Sequence, residues 1–307
     1  MTAPTLSPAT VRTSTGTDVA AAAALVVFWS SGFIGARLGT EHAPADTLLT
    51  WRYLLAALIV VPLAAHRLPR LGRRSLTQHA IVGVLSQAMY LGGVVTGVGA
   101  GVPAGTAALI AALQPLVVAN AARRWLGEPV TARRRLGLWL GFTGVGLVVA
   151  DDLTATDVDA WAYLLPLGGM LALSAGTVLQ QRWQPAGGLV ESMTVHTIAS
   201  ALLIGTEAAA FGRLDVPAAA GFWWAVVWVL VLSTAGGYGA YLLVLRRNGA
   251  TRVSALLYLT PPTTLIWSWA MFDDGIGVRS LAGLVVCAVA VWLVLATRHG
   301  VGPSGAG

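Results

Sequence analysis

The stretch AALIAALQPLVVANAARRWLGEP, from Ala107 to Pro129, decides the fold. It is almost wholly apolar up to Ala122, as a membrane-crossing segment is, yet Gln114 and Pro115 stand side by side in its middle. It ends on Arg123 and Arg124, with Gly127 and Glu128 behind them. A proline removes one helical hydrogen bond and clashes with the carbonyl four residues back, so it bends or breaks a helix. The arrangement returns in SALLYLTPPTTLIWSWAMFDDG, from Ser254 to Gly275, with Pro261 and Pro262 in mid-segment and Asp273 and Asp274 at its end.

The two stretches overlay with one constant offset. Pro115 then meets Pro261, Leu113 meets Leu259, Glu128 meets Asp274, Arg133 meets Arg279 and Gly137 meets Gly283. The identities are sparse, but the order is shared: a mid-span proline, an acidic residue after the span, an arginine, then a short final span.

The whole chain has the same character. Of its 307 residues, 56% are hydrophobic and 10% are charged; a soluble domain is about a quarter charged. The apolar residues fall in blocks of about 20, the length that crosses a hydrocarbon core as a helix. Ten blocks are read: Val19–Leu38, Thr47–Ala65, Ala80–Ala100, Pro103–Ala121, Leu136–Ala150, Trp161–Gln180, Leu189–Phe211, Ala219–Leu245, Val253–Phe272 and Leu281–Ala296. The expected fold is therefore an all-α polytopic membrane protein of ten transmembrane helices. Residues 1–17, rich in Ser, Thr and Pro, and residues 298–307 read as disordered tails.

The net charge of +6 does not point to nucleic acid, because the arginines sit in short loops between apolar blocks. There they report orientation. With the N-terminus in the cytoplasm, the inner side holds Arg12, Arg67, Arg70, Arg73, Arg74, Arg123, Arg124, Arg133 to Arg135, Arg182, Arg246, Arg247, Arg252 and Arg298; the outer side keeps Arg213 and Arg279. Both termini are then cytoplasmic. Cys287 is the only cysteine, so no disulfide framework, metal site or cofactor is expected.

A repeat of five spans is odd, so its second copy enters the membrane from the opposite face. That is an inverted-topology repeat, a plan common in secondary transporters. The repeats run over residues 18–150 and 160–297.

At this point the chain resembles the EamA-type transporters of the drug/metabolite transporter superfamily. FWSSGFIGARLG (Phe28 to Gly39) resembles that family's first helix, and PADTLLTWRYLLAAL (Pro44 to Leu58) its second, including Arg52. AALIAALQPLVVA with GEP resembles the fourth helix and following loop, and ATRVSALLYLTPP the ninth. Asp273-Asp274 stands where the family more often has Gly-Glu. The resemblance implies a basket of two five-helix halves around a central cavity. It also implies a bacterial inner-membrane location and a small-molecule substrate, with export the expected direction. A monomer is expected, with a dimer left open.

Candidate residues carry two readings each. Pro115, Pro261 and Pro262 are hinges beside a cavity or static kinks. Arg52 costs about 2.5 to 3.5 kcal/mol at mid-membrane; it faces the cavity as a carboxylate ligand, or snorkels to the interface or pairs with Glu41 or Asp46. In the seventh span Ser192, His196, Ser200 and Glu207 share one helical face. Histidine titrates near neutral pH, so His196 and Glu207 are candidates for proton coupling, against a purely structural hydrogen-bonding role. Trp29, Ser31, Gln87, Tyr90, Gln114, Tyr238, Tyr241 and Tyr258 are further polar or aromatic groups at span depth. They line a pocket for small zwitterions or flat molecules, or make helix–helix contacts. A rival reading is a membrane enzyme of prenyltransferase type, with Asp151, Asp152, Asp157 and Asp159 in an outer loop holding Mg²⁺ and a diphosphate.

Overall fold

The computed structural model describes residues 16–118, 121, 132–155, 157–248, 253, 256–273 and 277–295. Arg12, Arg123, Arg124, Gly127, Glu128, Arg252, Asp274, Arg298 and nearly all of both tails lie outside the described residues. Among the described residues the structure is helical throughout, with no strand. The helices are α1 (Gly16–Thr40), α2 (Ala45–Ala64), α3 (Arg73–Gly99), α4 (Ala104–Val118), α5 (Ala132–Ala155), α6 (Leu164–Trp183), α7 (Leu189–Ala210), α8 (Ala220–Asn248), α9 (Thr260–Phe272) and α10 (Val278–Leu295). Six of them are long and apolar enough to cross a membrane.

The burial pattern is that of a protein in lipid. Leu58, Trp139, Leu202, Val285 and Trp292 are all more than 60% exposed, while Arg52, His79, Gln87, Gln114 and His196 are at most 2% exposed. Water would reverse that preference. A hydrocarbon surround accounts for it, since apolar side chains lose nothing by facing lipid and polar ones must be satisfied inside.

The structure corrects several element boundaries. The third helix begins at Arg73, well before Ala80. The helix α5 extends through Asp151 and Asp152 to Ala155, so those two residues are not in a loop. The prolines do not bend continuous helices. In α4 a turn at Ala112 and Leu113 precedes Gln114 and Pro115, and Leu113 and Leu116 donate to carbonyls three residues back. Tyr258 and Leu259 form a like turn, after which Pro261 and Pro262 occupy the first turn of α9. Proline is tolerated there because its missing N–H has no helical partner to lose. The break precedes the proline.

Two helices carry π-helical turns in mid-span, Val84–Met89 in α3 and Val229–Tyr238 in α8. The 146-residue offset that lays Pro115 on Pro261 also lays the first π-turn within the second, and the turn at Ala112-Leu113 on that at Tyr258-Leu259. Packing follows the same offset. The pairs α2 with α7, α4 with α9, and α5 with α10 are in contact, each helix against its own counterpart. The contact of α1 with α8 is matched by that of α6 with α3. Glycines allow both close crossings. A Cβ on Gly237 of α8 would lie 3.0 Å from the Phe28 backbone, and one on Gly93 of α3 would lie 2.4 Å from the Leu165 carbonyl oxygen. Small residues at such contacts bring helix backbones together where lipid gives no hydrophobic drive.

Candidate functional site

Where α1, α2, α3 and α8 meet, four rings gather at the centre of the bundle. Trp29 of α1 stacks on Tyr90 of α3, with centroids 5.7 Å apart, and lies 5.0 Å from Tyr241 and 6.5 Å from Tyr238. Tyr238 and Tyr241 of α8 stack on each other at 5.5 Å. Their separation is three residues, so one helical face presents both. The Trp29 indole N–H donates to the Tyr90 hydroxyl at 3.2 Å. Beside these rings lies a cavity of about 20 Å³, lined by Trp29, Gly32, Phe33, Arg52, Ser86, Tyr90, Leu91, Val94, Ser233 and Tyr238. That is room for about one water.

Arg52 brings a charge to this cavity. Its Nε donates to the Thr234 hydroxyl at 2.8 Å, and that hydroxyl donates to the Val229 carbonyl at 2.9 Å, five residues back in the π-turn. The guanidinium lies 5.5 Å over the Tyr53 ring. The acids named as its partners are engaged elsewhere: Asp46 with Arg213 at 3.1 Å, Glu41 with Arg37 at 3.6 Å. At 2% exposure Arg52 does not snorkel. Among the described residues no carboxylate lies within 4 Å of it.

A chain of hydrogen bonds leaves the ring cluster through His196. Its Nδ1 lies 2.8 Å from the Tyr238 hydroxyl and its Nε2 lies 3.4 Å from Nδ1 of His79. His79 Nε2 in turn lies 3.0 Å from the Ala186 carbonyl, in the connection between α6 and α7. A second branch runs from Tyr241 to the Thr177 hydroxyl at 2.7 Å, which accepts from the Gln114 amide at 2.9 Å.

Two larger cavities flank the centre. One of about 580 Å³ lies between the α1 C-terminus, the α3–α4 connection and α9, with Arg37, Thr40, Val98, Pro103 and Leu265 in its wall. The other, of about 350 Å³, is lined by Gln180, Gln181, Gln184, Pro185, Leu245 and Arg246, where α6 and α8 end. Along α1 the central cavity and the first flanking cavity are separated by the step from Phe33 to Arg37, about 6 Å of helix.

The structure thus brings Trp29, Arg52, Tyr90, Tyr238, Tyr241 and His196 together and ties Gln114 to them through Thr177. Gln87 is buried beside Tyr238. Ser31 does not line the cavity; its hydroxyl donates to the Phe28 carbonyl at 2.6 Å. Tyr258 sits in the turn before α9, also outside the lining. Glu207 is exposed on α7, away from the buried Ser192, His196 and Ser200. On the aspartate run, Asp157 and Asp159 are exposed, and Asp159 accepts from the Trp161 indole at 3.2 Å. Among the described residues no three His, Cys, Asp or Glu residues are grouped to hold a metal ion.

Sequence reasoning missed His79, Ser86, Ser233 and Thr234. His79 fell just outside the block read as Ala80–Ala100, although the helix already begins at Arg73. The serines did leave a signal: Val84-Leu85-Ser86 and Val231-Leu232-Ser233 are the same tripeptide, one in each π-turn, and both serines line the cavity.

Comparison with known proteins gives this geometry a family. A model of the EamA-like transporter family matches residues 18–150 and again 160–296. The chain is 24% identical to the uncharacterized transporter YvbV of Bacillus subtilis, over 88% of each chain. It is 24% identical to the uncharacterized inner membrane transporter YedA of Escherichia coli (strain K12), over 90% of each. It is 21% identical to a protein of Escherichia coli (strain K12) named "Probable amino-acid metabolite efflux pump", over 85% of this chain and 89% of the other. A crystal structure shares the fold, with a TM-score of 0.67 at 16% identity, over 94% of this chain and all of that one. The three named relatives carry transporter or pump names, not enzyme names, and the prenyltransferase reading is not favoured. The chain is a multi-span membrane protein and belongs to the EamA-like transporter family.

Proposed function

We propose that this transporter exports small amphipathic carboxylates across a bacterial inner membrane by alternating access. One observation carries the reading. Arg52 is a buried guanidinium without an acidic partner among the described residues, at a cavity walled by aromatic rings. An unpaired charge at membrane depth is expensive and marks a ligand path. A guanidinium matches a carboxylate in shape and charge. Trp29, Tyr90 and Tyr238 offer flat apolar faces to the rest of such a molecule.

The alternating-access reading rests on the repeat. Five spans in each half, taken as an inverted pair over residues 18–150 and 160–297, account for the matched π-turns, matched helix breaks and matched crossings. With the N-terminus inside, the cavity of about 580 Å³ opens outward and that of about 350 Å³ opens inward. The central space of about 20 Å³ admits no metabolite, since a bound small molecule occupies hundreds of Å³. The site must therefore open. The soft points are the π-turns of α3 and α8 and the breaks before Pro115 and Pro261, where helical bonds are already displaced. Export accords with the efflux pump named among the relatives. A monomer holds the complete cavity.

The test is flux in proteoliposomes with phenylacetate, phenylalanine, phenylethylamine and ethidium, by counterflow and with an imposed pH gradient. Phenylacetate and phenylalanine are expected to exchange; phenylethylamine, which lacks only the carboxylate of phenylalanine, is not. Equal flux of phenylethylamine and phenylalanine would overturn the carboxylate reading. Absence of flux for every compound would overturn the transporter mechanism.

A further inference from the structure

The chain Tyr238–His196–His79–Ala186 runs from the wall of the central cavity to the end of the bundle where Pro185 and Arg246 line the second cavity. Its direction is fixed at one end. The Ala186 carbonyl can only accept, so His79 Nε2 carries a proton. In the neutral ring Nδ1 is then an acceptor, and His196 Nε2 must donate to it. That leaves His196 Nδ1 bare, to accept from the Tyr238 hydroxyl. The neutral chain holds one consistent set of protons, each donated away from the cavity.

One added proton reverses it. A proton on His79 Nδ1 turns that atom into a donor, so His196 Nε2 accepts and His196 Nδ1 carries the hydrogen. The Tyr238 oxygen then accepts from His196, and its own O–H is released from the chain. Tyr238 lines the cavity, so the released donor turns toward whatever the cavity holds. Two full charges on rings 5.4 Å apart are disfavoured, which limits the pair to a single extra proton.

We propose that His79 and His196 form one proton-binding site, whose occupancy turns the Tyr238 hydroxyl into a donor beside Arg52, so that a proton and a substrate carboxylate bind together. The proposal rests on the carboxylate reading of the cavity and adds its coupling ion. Other charged and titratable groups face the pair from each packed element. Glu191 of α7 and Arg246 of α8 flank the Ala186 end, where Arg246 donates to the Gly187 carbonyl at 2.9 Å and to the Ser192 hydroxyl. Arg67 approaches Glu191 at 3.8 Å. Tyr241 and Tyr53 flank Tyr238. Glu191 set against Arg246 and Arg67 leaves the Ala186 end one charge positive, and in the proposal the histidine pair is the group that changes charge. Exported with its proton, a carboxylate leaves as the neutral acid, and a metabolite gradient drives protons outward.

Two measurements test this. In the first, purified protein in nanodiscs is labelled with ¹⁵N only in histidine, and ring shifts are followed from pH 4.5 to 8.5. The variants His79→Gln and His196→Gln assign the signals. One proton shared by two coupled rings is expected. Two rings that stay neutral throughout, or that titrate independently, would overturn the proton site, whatever the substrate. In the second, phenylacetate binding is measured by calorimetry across the same range in buffers of different ionisation enthalpy. The Kd is expected to fall by up to about tenfold per pH unit of acidification, since at most one proton is taken up. Tyr238→Phe is expected to bind with no pH dependence beyond that of the ligand. Binding that is measurable, needs Arg52 and is flat with pH would overturn the coupling while leaving the carboxylate reading intact. Binding that ignores Arg52 would overturn that reading, and the histidine titration would still decide the proton site.

Discussion

The two halves of the chain share their breaks but not their chemistry. At the 146-residue offset, π-turn lies on π-turn and helix break on helix break, yet Arg52 falls on Ile198, His196 on Thr50, Tyr238 on Gly92 and Trp29 on Ala175. The first half supplies the cation, His79 and one pair of rings; the second supplies His196 and the other pair. The difference separates two requirements. Helix crossings must be alike in both halves if they are to exchange roles as the cavity turns from one side to the other. A ligand has one charged end, so the groups that read it must differ. Ile198, the counterpart of Arg52, is partly exposed and lies outside the lining of the central cavity.

The comparison breaks most sharply at Arg52. Replacing it with Met removes the charge and keeps the length. Carboxylate flux is expected to fall by about 100-fold, the upper end of what a charged hydrogen-bonded contact contributes. Thermal stability is expected to hold or rise, because a buried charge with no acidic partner among the described residues is a cost to the fold. Loss of flux with a falling Tm would instead make Arg52 a structural residue. The next largest effect belongs to the shared architecture. In Gly93→Val a Cβ would sit 2.4 Å from the Leu165 carbonyl oxygen; in Gly169→Ala, across the same crossing, one would sit 2.7 Å from the Tyr90 carbonyl oxygen. Both meet backbone, which cannot step aside. Each is expected to cost about 1–3 kcal/mol of stability, read as a lower Tm in nanodiscs, with little change in the Kd of the protein that remains folded.

Much of this architecture is legible in the sequence, and the reason is the solvent. Lipid demands apolar blocks of fixed length, so the spans show in composition alone, and a duplicated Pro with a following acid shows that the plan occurs twice. What the sequence hides is which face points inward. Helices such as α2 and α7 are apolar nearly all round, because lipid and protein interior accept the same side chains. Periodicity therefore cannot separate Arg52 on the cavity from Arg52 at the interface. The π-turns are hidden too. In the second, Thr234 shares its hydroxyl between a backbone carbonyl and Arg52, a long-range arrangement. His79 was hidden by its neighbours: Arg73 and Arg74 make the start of α3 read as loop, although the helix already runs there.

Thr234→Val sharpens the comparison on a smaller scale. The hydroxyl holds Arg52 at 2.8 Å and caps the π-turn at 2.9 Å. Valine keeps the shape and loses both bonds. A loss of about 1 kcal/mol, or several-fold in Kd for phenylacetate, is expected from a guanidinium set loose from its support. At the matching position in the first π-turn, Ala88 makes no such bond, so Ala88→Ser is expected to leave the Kd unchanged. Equal effects at both positions would mean that the π-turns matter as hinges and not as ligand supports.

The smallest expected effect is at Glu207, and it tests where protons enter. By helical angle Glu207 lies on the face of Ser192, His196 and Ser200, but it sits about 10 Å along α7 beyond Ser200. There it points away from the bundle: Glu207 is exposed, and so is Phe211 at 66%, while Ile204 and Ala208 beside it stay buried. A carboxylate in that position is already served by water or headgroups and has nothing to relay. Glu207→Gln is expected to leave flux, its pH profile and Tm within error, as surface changes usually do. A shifted pH profile with both histidines intact would show protons reaching the cavity along α7 from the outer end. The path through His79 to Ala186 would then be one of two, and the chemical asymmetry between the halves would be smaller than the central cavity suggests.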